Sequence, residues 1–375
     1  DLLEMRNSKQ FDIFVISFTP IASRFTQLSR FGLQIIQTMH NRPLIISLTL
    51  LCGLFLGCGD KHIPTPTSNF IKGADISWIT EMESAGKKFY TTTGIEKDGF
   101  TLMKELGMNA IRLRVWVNPT DGWCGLTDLI AKAQRAQAAG LKLLIDFHDS
   151  DSWADPGKQF IPANWINASL PAMKDSVRTH TTRVLSELIT RGITSTWVQV
   201  GNETNDGLLW PMGKASVSMS NYAALIQAGY QAVKAIDNKI QVVVHLSNGY
   251  DNNLFRWNLD GLRQYGAEWD IIGLSLYPTT TDWQSRNQEC LSNITDLITR
   301  YQKPIMICEI GMPWDQVDSC YSFISDLISK VKSIPNEKGL GVFYWEPQSY
   351  ANWKGYTLGA FDNNGRPTAA MKAFQ

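Results

Sequence analysis

From Gly73 onward, short apolar runs alternate with longer stretches whose apolar positions recur at helical spacing. Eight runs read as strands: 73–77, 110–117, 142–149, 197–203, 241–247, 271–278, 304–309 and 341–347. Most are rich in Val, Ile and Leu and several close on a polar or aromatic residue. Between them, helical patterns cover 98–107, 127–140, 172–192, 222–236, 290–300 and 321–331. The clearest is 127–140, where Thr127 is expected to cap the first turn, Asp128 suits the helix dipole, and Gly140 can take the left-handed stop. Residues 360–375 are expected to form a closing helix.

Strand starts recur every ~30–55 residues, the length of a strand-loop-helix-loop unit. Eight such units predict an α/β protein, a single (β/α)8 TIM barrel over 70–375 with its active site at the C-terminal ends of the strands. A doubly wound open sheet fits less well. No glycine-rich phosphate loop follows the first strand, and polar punctuation recurs around all eight strand ends instead of at one switch point.

The segment before the barrel reads as targeting sequence. Residues 39–57 carry a short basic head and an apolar stretch, Leu44 to Gly57, too short for a comfortable membrane span and typical of a signal peptide. Leu54-Phe-Leu-Gly-Cys58 resembles a bacterial lipobox, which makes Cys58 the expected lipidation site and 58–69, with Pro64 and Pro66, a lipidated tether. Residues 1–38 are expected to be an upstream extension outside the fold. The implied location is exported and membrane-anchored, at the outer membrane or cell surface, with the lipid as the contact to the membrane.

Charge narrows the partner. The chain has 35 basic and 35 acidic side chains, so it offers no net field for nucleic acid or a strongly anionic polymer, and a neutral ligand is favoured. Its 13 tryptophans are ample for a site that stacks indoles on pyranose rings, although most tryptophans serve a core. Export permits disulfides, and Cys124, Cys290, Cys308 and Cys320 allow three full pairings that sequence does not separate; Cys308, inside a strand, reads as a packed thiol. No Cys or His spacing suggests zinc, no cofactor is expected, and the protein is expected to be a monomer.

Two strands carry the chemistry. Trp197-Val-Gln-Val-Gly-Asn-Glu203 and Pro304-Ile-Met-Ile-Cys-Glu309 both run through apolar residues into a glutamate. Carboxylates at strand tips lie where a parallel barrel opens its ligand face, and a pair of them is the minimum equipment for cleaving a glycosidic bond.

Further motifs surround this pair: Gly73-Ala-Asp-Ile-Ser, Ile111-Arg-Leu-Arg-Val-Trp-Val-Asn-Pro, Asp146-Phe-His-Asp-Ser-Asp-Ser-Trp-Ala-Asp-Pro156, Gly201-Asn-Glu-Thr with Gly207-Leu-Leu-Trp-Pro, and Tyr344-Trp-Glu-Pro. Together they resemble glycoside hydrolase family 53, the arabinogalactan endo-β-1,4-galactanases, in a bacterial lipoprotein form. The resemblance implies an endo-acting, retaining glycosidase that cleaves β-1,4-galactan side chains of pectin. It makes Glu203 the proton donor and later base, and Glu309 the nucleophile. Arg112 would keep Glu309 ionised, with Arg114 the competing candidate; Tyr277 would approach the nucleophile, and Asn202 would bind the sugar 2-hydroxyl. His148 and Asp151 would line the sugar site, Asp75 and His245 would contribute hydrogen bonds, and Trp345 would form a platform. Trp153 and Trp353 are the substrate-binding tryptophans beyond it, with Trp210, Trp283 and Trp314 as competitors.

The chain departs from the family after strand five, at His245-Leu-Ser-Asn-Gly-Tyr-Asp, and in the short segment before Cys320. Some relatives hold calcium near strands seven and eight; here no run of closely spaced Asp and Asn precedes Gly341, so calcium is not supported. Another β-1,4-endoglycanase and a noncatalytic surface glycan-binding lipoprotein are the alternatives. The first shares the glutamates but not the remaining motifs, and the second would tolerate loss of either glutamate.

Overall fold

The computed structural model describes residues 69–375. Cys58, residues 1–38, the 39–57 signal segment and the tether before residue 69 lie outside the described residues. Eight parallel strands close into a barrel in sequence order, β1 (Ile71–Asp75), β2 (Ala110–Val115), β3 (Lys142–Phe147), β4 (Trp197–Val200), β5 (Gln241–Leu246), β6 (Ile271–Leu276), β7 (Ile305–Ile310) and β8 (Gly339–Trp345). Helices fill the crossovers: α1 (Ile79–Ser84), α2 (Gly99–Glu105), α3 (Leu126–Ala138), α4 (Leu170–Ile189), α5 (Met219–Ile236), α6 (Asn252–Gln264), α7 (Trp283–Tyr301) and α8 (Val317–Lys332).

The helix boundaries follow local chemistry. Asp98 accepts the Thr101 amide at 2.9 Å and starts α2. Thr127 is not the cap of α3: Gly125 occupies that position, and Asp128 spends its carboxylate on the Cys124 amide and the Lys132 ammonium, both at 2.7 Å. Helix α6 has no counterpart among the expected helices, although Asp251 caps it through the Leu254 amide and Phe255, Leu259 and Leu262 bury one face. The closing helix shrinks to a 3-10 segment, Ala369–Phe374.

Two apolar shells result. The larger lies between the barrel and its helices, while a smaller one of Ile71, Leu144, Trp197, Val243, Ile271, Met306, Cys308 and Phe343 fills the barrel interior. Gly73 permits this filling, since a β-carbon there would stand 2.2 Å from the Phe343 ring. Further along the strands, towards their C-terminal ends, come buried polar residues: Asp75, Arg112, Arg114, Asp146, Gln199, His245 and Ser275. One face of β1 to β6 therefore changes from apolar to polar along its length, which places the chemistry at the barrel mouth. Cys124, Cys290, Cys308 and Cys320 are buried free thiols.

Candidate active site

Each glutamate reaches the mouth by an irregularity of its strand. In β7 the pairing with β6 slips: Leu274 faces Ile307, but Ser275 faces Glu309. One extra residue reverses the side-chain alternation, so Glu309 joins the interior although Met306 and Cys308, both of the opposite parity to it, already lie there. Strand β4 ends earlier, and Gly201 turns with a φ of 75° where a β-carbon would meet Thr204 at 2.5 Å. Glu203 itself has a φ of 45°, a left-handed geometry that costs a non-glycine residue about 1 kcal/mol or more. The Thr204 amide pins this turn to the His245 carbonyl at 2.9 Å.

Both glutamates line one cavity of about 320 Å³ with His148, Trp153, Asp155, Asn202, Tyr277, Trp345 and Tyr356. Arg112 lies beneath it, fully buried. Its guanidinium contacts Asp75 at 2.7 Å, Asp146 at 2.9 Å, Glu309 at 2.9 Å, and the Asn202 side-chain oxygen at 2.8 Å. Tyr277 donates its hydroxyl to the other Glu309 oxygen at 2.9 Å. Arg112, and not Arg114, is thus the partner of Glu309. Asn202 completes its amide by donating to the Ala154 carbonyl at 2.8 Å, and still has one N–H for a ligand.

One guanidinium faces three carboxylates here, so protonation decides the balance. Burial tends to raise Asp146, but Arg112 and His148 outweigh it and hold that carboxyl below its ordinary range. Burial pushes both glutamates up: Glu203 to about 7, against a Ser275 hydrogen bond and Arg112, and Glu309 to about 8, against Arg112 and with the Glu203 charge adding to the rise. These two values place the proton on Glu309, whereas the contacts argue for Glu203. Glu309 has a direct ion pair and a phenol donor, both of which favour its charged form; Glu203 has no cation in contact. We assign the shared proton of the pair to Glu203.

The neighbours hold this arrangement. His148 accepts from the Trp116 indole at 3.2 Å and the Ala154 amide at 3.1 Å on Nδ1, which leaves Nε2–H for Asp146 at 3.0 Å. Burial and the nearby Arg112 charge keep the His245 imidazole neutral, and it bridges Ser275 at 2.8 Å to Gln199 and Asn202 at 3.1 Å.

The sequence-selected residues do not all meet the cavity. Glu203, Glu309, Asn202, Tyr277, His148, Trp153 and Trp345 line it, with Arg112 directly behind. Asp75 and His245 are fully buried and act on Arg112 and Asn202, because no accessible surface remains for a sugar. Asp151 binds the Asn118 and Ala163 amides, and so ties two loops together instead of facing the cavity. Trp353, Trp210, Trp283 and Trp314 are outside its lining. Tyr356 and Asp155 also line it, and Asp155 belongs to the Asp146–Pro156 motif. Tyr356 carried no sequence signal.

Below the tryptophans sits a second buried pair. Arg114 contacts Glu346 at 2.7 Å, and its guanidinium lies 4.4 Å from the Trp153 ring centre and 5.9 Å from that of Trp345. The Trp78 amide reaches both Glu346 oxygens, at 3.0 and 3.2 Å, and the Gln348 amide adds a third donor. Trp78 packs edge-on to both cavity tryptophans. Among the described residues, no group of three or more His, Cys, Asp or Glu side chains could hold a metal ion.

A closed parallel barrel with two glutamates across one aromatic-walled cavity, one of them ion-paired, defines a glycoside hydrolase. The profile of glycosyl hydrolase family 53 matches residues 71–374, and the chain belongs to that family. It is 31% identical over 332 residues to the arabinogalactan endo-β-1,4-galactanase of Thermothelomyces thermophilus, covering 81% of this chain and 98% of the relative. It is also 31% identical over 317 residues to the endo-β-1,4-galactanase of Bacillus subtilis, covering 76% of this chain and 72% of that protein. A fungal β-1,4-galactanase structure superposes with a TM-score of 0.76 at 29% identity, covering 81% of this chain and 98% of the other.

Proposed function

We propose that the chain is an endo-β-1,4-galactanase that cleaves galactan with retention of configuration, using Glu309 as nucleophile and Glu203 as acid and base. The supporting observation is the asymmetry of the pair: Arg112 and Tyr277 both favour charge on Glu309, and Glu203 lacks a contacting cation. In the first step the Glu309 carboxylate attacks the anomeric carbon while Glu203 gives its proton to the departing oxygen. In the second, Glu203 takes a proton from water, whose oxygen displaces Glu309. In this reading Asn202 holds the hydroxyl next to the reacting carbon, and Trp345 and Trp153 support the ring. Asp75, His245 and Asp151 position other residues in this reading.

The deciding experiment incubates the protein with linear β-1,4-galactan, mannan and glucan, following reducing ends, product lengths and anomeric configuration. Galactan broken into mixed oligomers with β-anomers formed first is expected. Cleavage of only another polymer, or α-anomers formed first, overturns the substrate or the mechanism respectively. Binding without cleavage overturns both.

The proposal extends to the address. The apolar run ending at Cys58 supports lipid attachment at that cysteine and an enzyme held at a bacterial membrane, working at the cell surface. Mass spectrometry of the protein from a producing cell is expected to show a diacylated N-terminal Cys58; a mature chain that keeps residues before Cys58 removes this part.

A further inference from the structure

A second cavity lies outside the catalytic one, on the shoulder of the barrel between the loop after β2, the loop after β3 and one face of α4. It measures about 480 Å³ and is lined by Asn118, Asn164, Trp165, Asp175, His180 and Arg183, among others. It shares no lining residue with the catalytic cavity. Its walls are tied together from beneath. One Asp151 oxygen accepts the Asn118 amide at 3.0 Å and the other accepts the Ala163 amide at 2.8 Å, while the Val117 amide reaches the Ser150 carbonyl at 2.8 Å.

The lining has unmet polar capacity. His180 is only 8% exposed, its ring held edge-on by Phe147 and Trp165, and its Nε2 has no hydrogen-bond partner. Burial pushes this imidazole down to about 4, so it is neutral at working pH. Arg183 has no ion pair among the described residues, whereas Asp175 pairs with Arg178. With Asp175 engaged by Arg178, Arg183 is the one charge of the lining left unpaired, and no second charged basic side chain lines the cavity to clamp an anion. What remains is one indole, planar amides and a guanidinium around a space large enough for one or two sugar rings. That is the chemistry that recognises a neutral glycan, apolar C–H faces on an aromatic and hydroxyls on planar polar groups.

We propose that this cavity is a second, noncatalytic binding site for short stretches of neutral β-galactan, holding the polymer while the catalytic cavity cuts. The proposal rests on the galactanase reading for its ligand. Two sites on one body raise the local concentration of a polymer at the catalytic site but do nothing for an oligomer too short to span them.

The test uses the full chain carrying Glu309→Gln, titrated calorimetrically with galactotetraose. Two sites are expected, and Arg183→Ala or Trp165→Ala should leave one. In the active protein the same substitutions should lower kcat/KM on long galactan by about 3- to 10-fold and leave cleavage of galactotetraose unchanged. A single site in the Glu309→Gln chain, or two sites that survive Arg183→Ala, overturns the proposal. So does binding of galacturonate or inorganic phosphate at the Arg183-dependent site in place of the neutral oligomer. Arg183 is exposed, so Arg183→Ala decides the matter if Trp165→Ala does not fold. Failure of the parent reading looks different: the Glu309→Gln chain then binds no galactan at either site.

Discussion

Arg112 and Arg114 stand two residues apart on β2, both fully buried, each against carboxylates. They have opposite uses. Arg112 spreads over Asp75, Asp146 and Glu309, and one of its partners opens onto the cavity, so its charge sets the protonation of a reacting group. Arg114 is spent on Glu346, which is wholly enclosed, and on indole faces, so its charge sets the shape of the wall. The same residue type, one strand repeat apart, tunes chemistry at one level and packing at the next. Burial makes both pairs costly to break, since removing one partner of a buried ion pair costs about 3–5 kcal/mol.

The largest expected effect comes from the glutamates that only the Arg112 level serves. Glu203→Gln should lower kcat on galactan by about 10²–10⁴-fold, and Glu309→Gln by at least as much, with melting temperatures near that of the parent. An activated aryl β-galactoside should recover the first step for Glu203→Gln alone, because its leaving group needs little protonation. Recovery in Glu309→Gln instead would exchange the two roles.

Next come the arginines themselves. Arg112→Lys should cost about 10²-fold in kcat, and should move the acid limb of the pH–rate profile upward, since Glu309 loses its fixed donor and becomes harder to ionise. Arg114→Lys should leave both limbs in place and raise KM through looser tryptophans. Equal profiles for the two variants would erase the distinction between the levels.

The pH profile of the parent follows in size. A general acid works only while protonated, and burial carries Glu203 well above the ordinary glutamate range, so kcat/KM should hold through that range and fall only at higher pH. With the aryl substrate, Glu203→Gln should lack this limb. An alkaline limb that persists in that variant assigns it to another group.

The last effect bears on stability alone and concerns a buried carboxyl with no cation at all. Asp149 is fully buried, neither oxygen has a hydrogen-bond partner, and burial, with the Asp146 charge, pushes it up to about 8. Its folded-state value lies above the unfolded one, so the folded protein binds the extra proton. The stability this supplies is complete below about pH 4 and is lost as pH rises towards 8. Asp149→Asn should therefore melt progressively higher than the parent between pH 5 and 8. A constant difference over that range would mean that Asp149 is paired in solution.

The barrel was legible in the chain, because strands buried on both faces must be apolar and must end where the chain turns polar, and those changes are written locally. The eight strands of the structure sit within about two residues of the expected starts; all but β7 end earlier than expected, which leaves His148, Asn202, Glu203 and Tyr277 on loops, whereas Glu309 stays within β7. Glu203, Glu309 and the strand-two arginines were legible for the same reason. Helix α6 was legible too, through Asp251 and the spacing of Phe255, Leu259 and Leu262, but Gly261 and an asparagine-rich start masked it.

Tertiary structure alone decided who touches whom. The slip in β7 that turns Glu309 inward depends on pairing with β6, and nothing local marks it. Which arginine serves Glu309 depends on depth inside the barrel, a distance set by strand stagger. Asp75 and His245 sit towards strand ends just as Glu309 does, yet lie behind the wall because neighbouring side chains cover them. Sequence records which side chains can do chemistry; only closure of the sheet sets which of them a ligand can reach, since burial and charge balance are properties of neighbours distant in the chain.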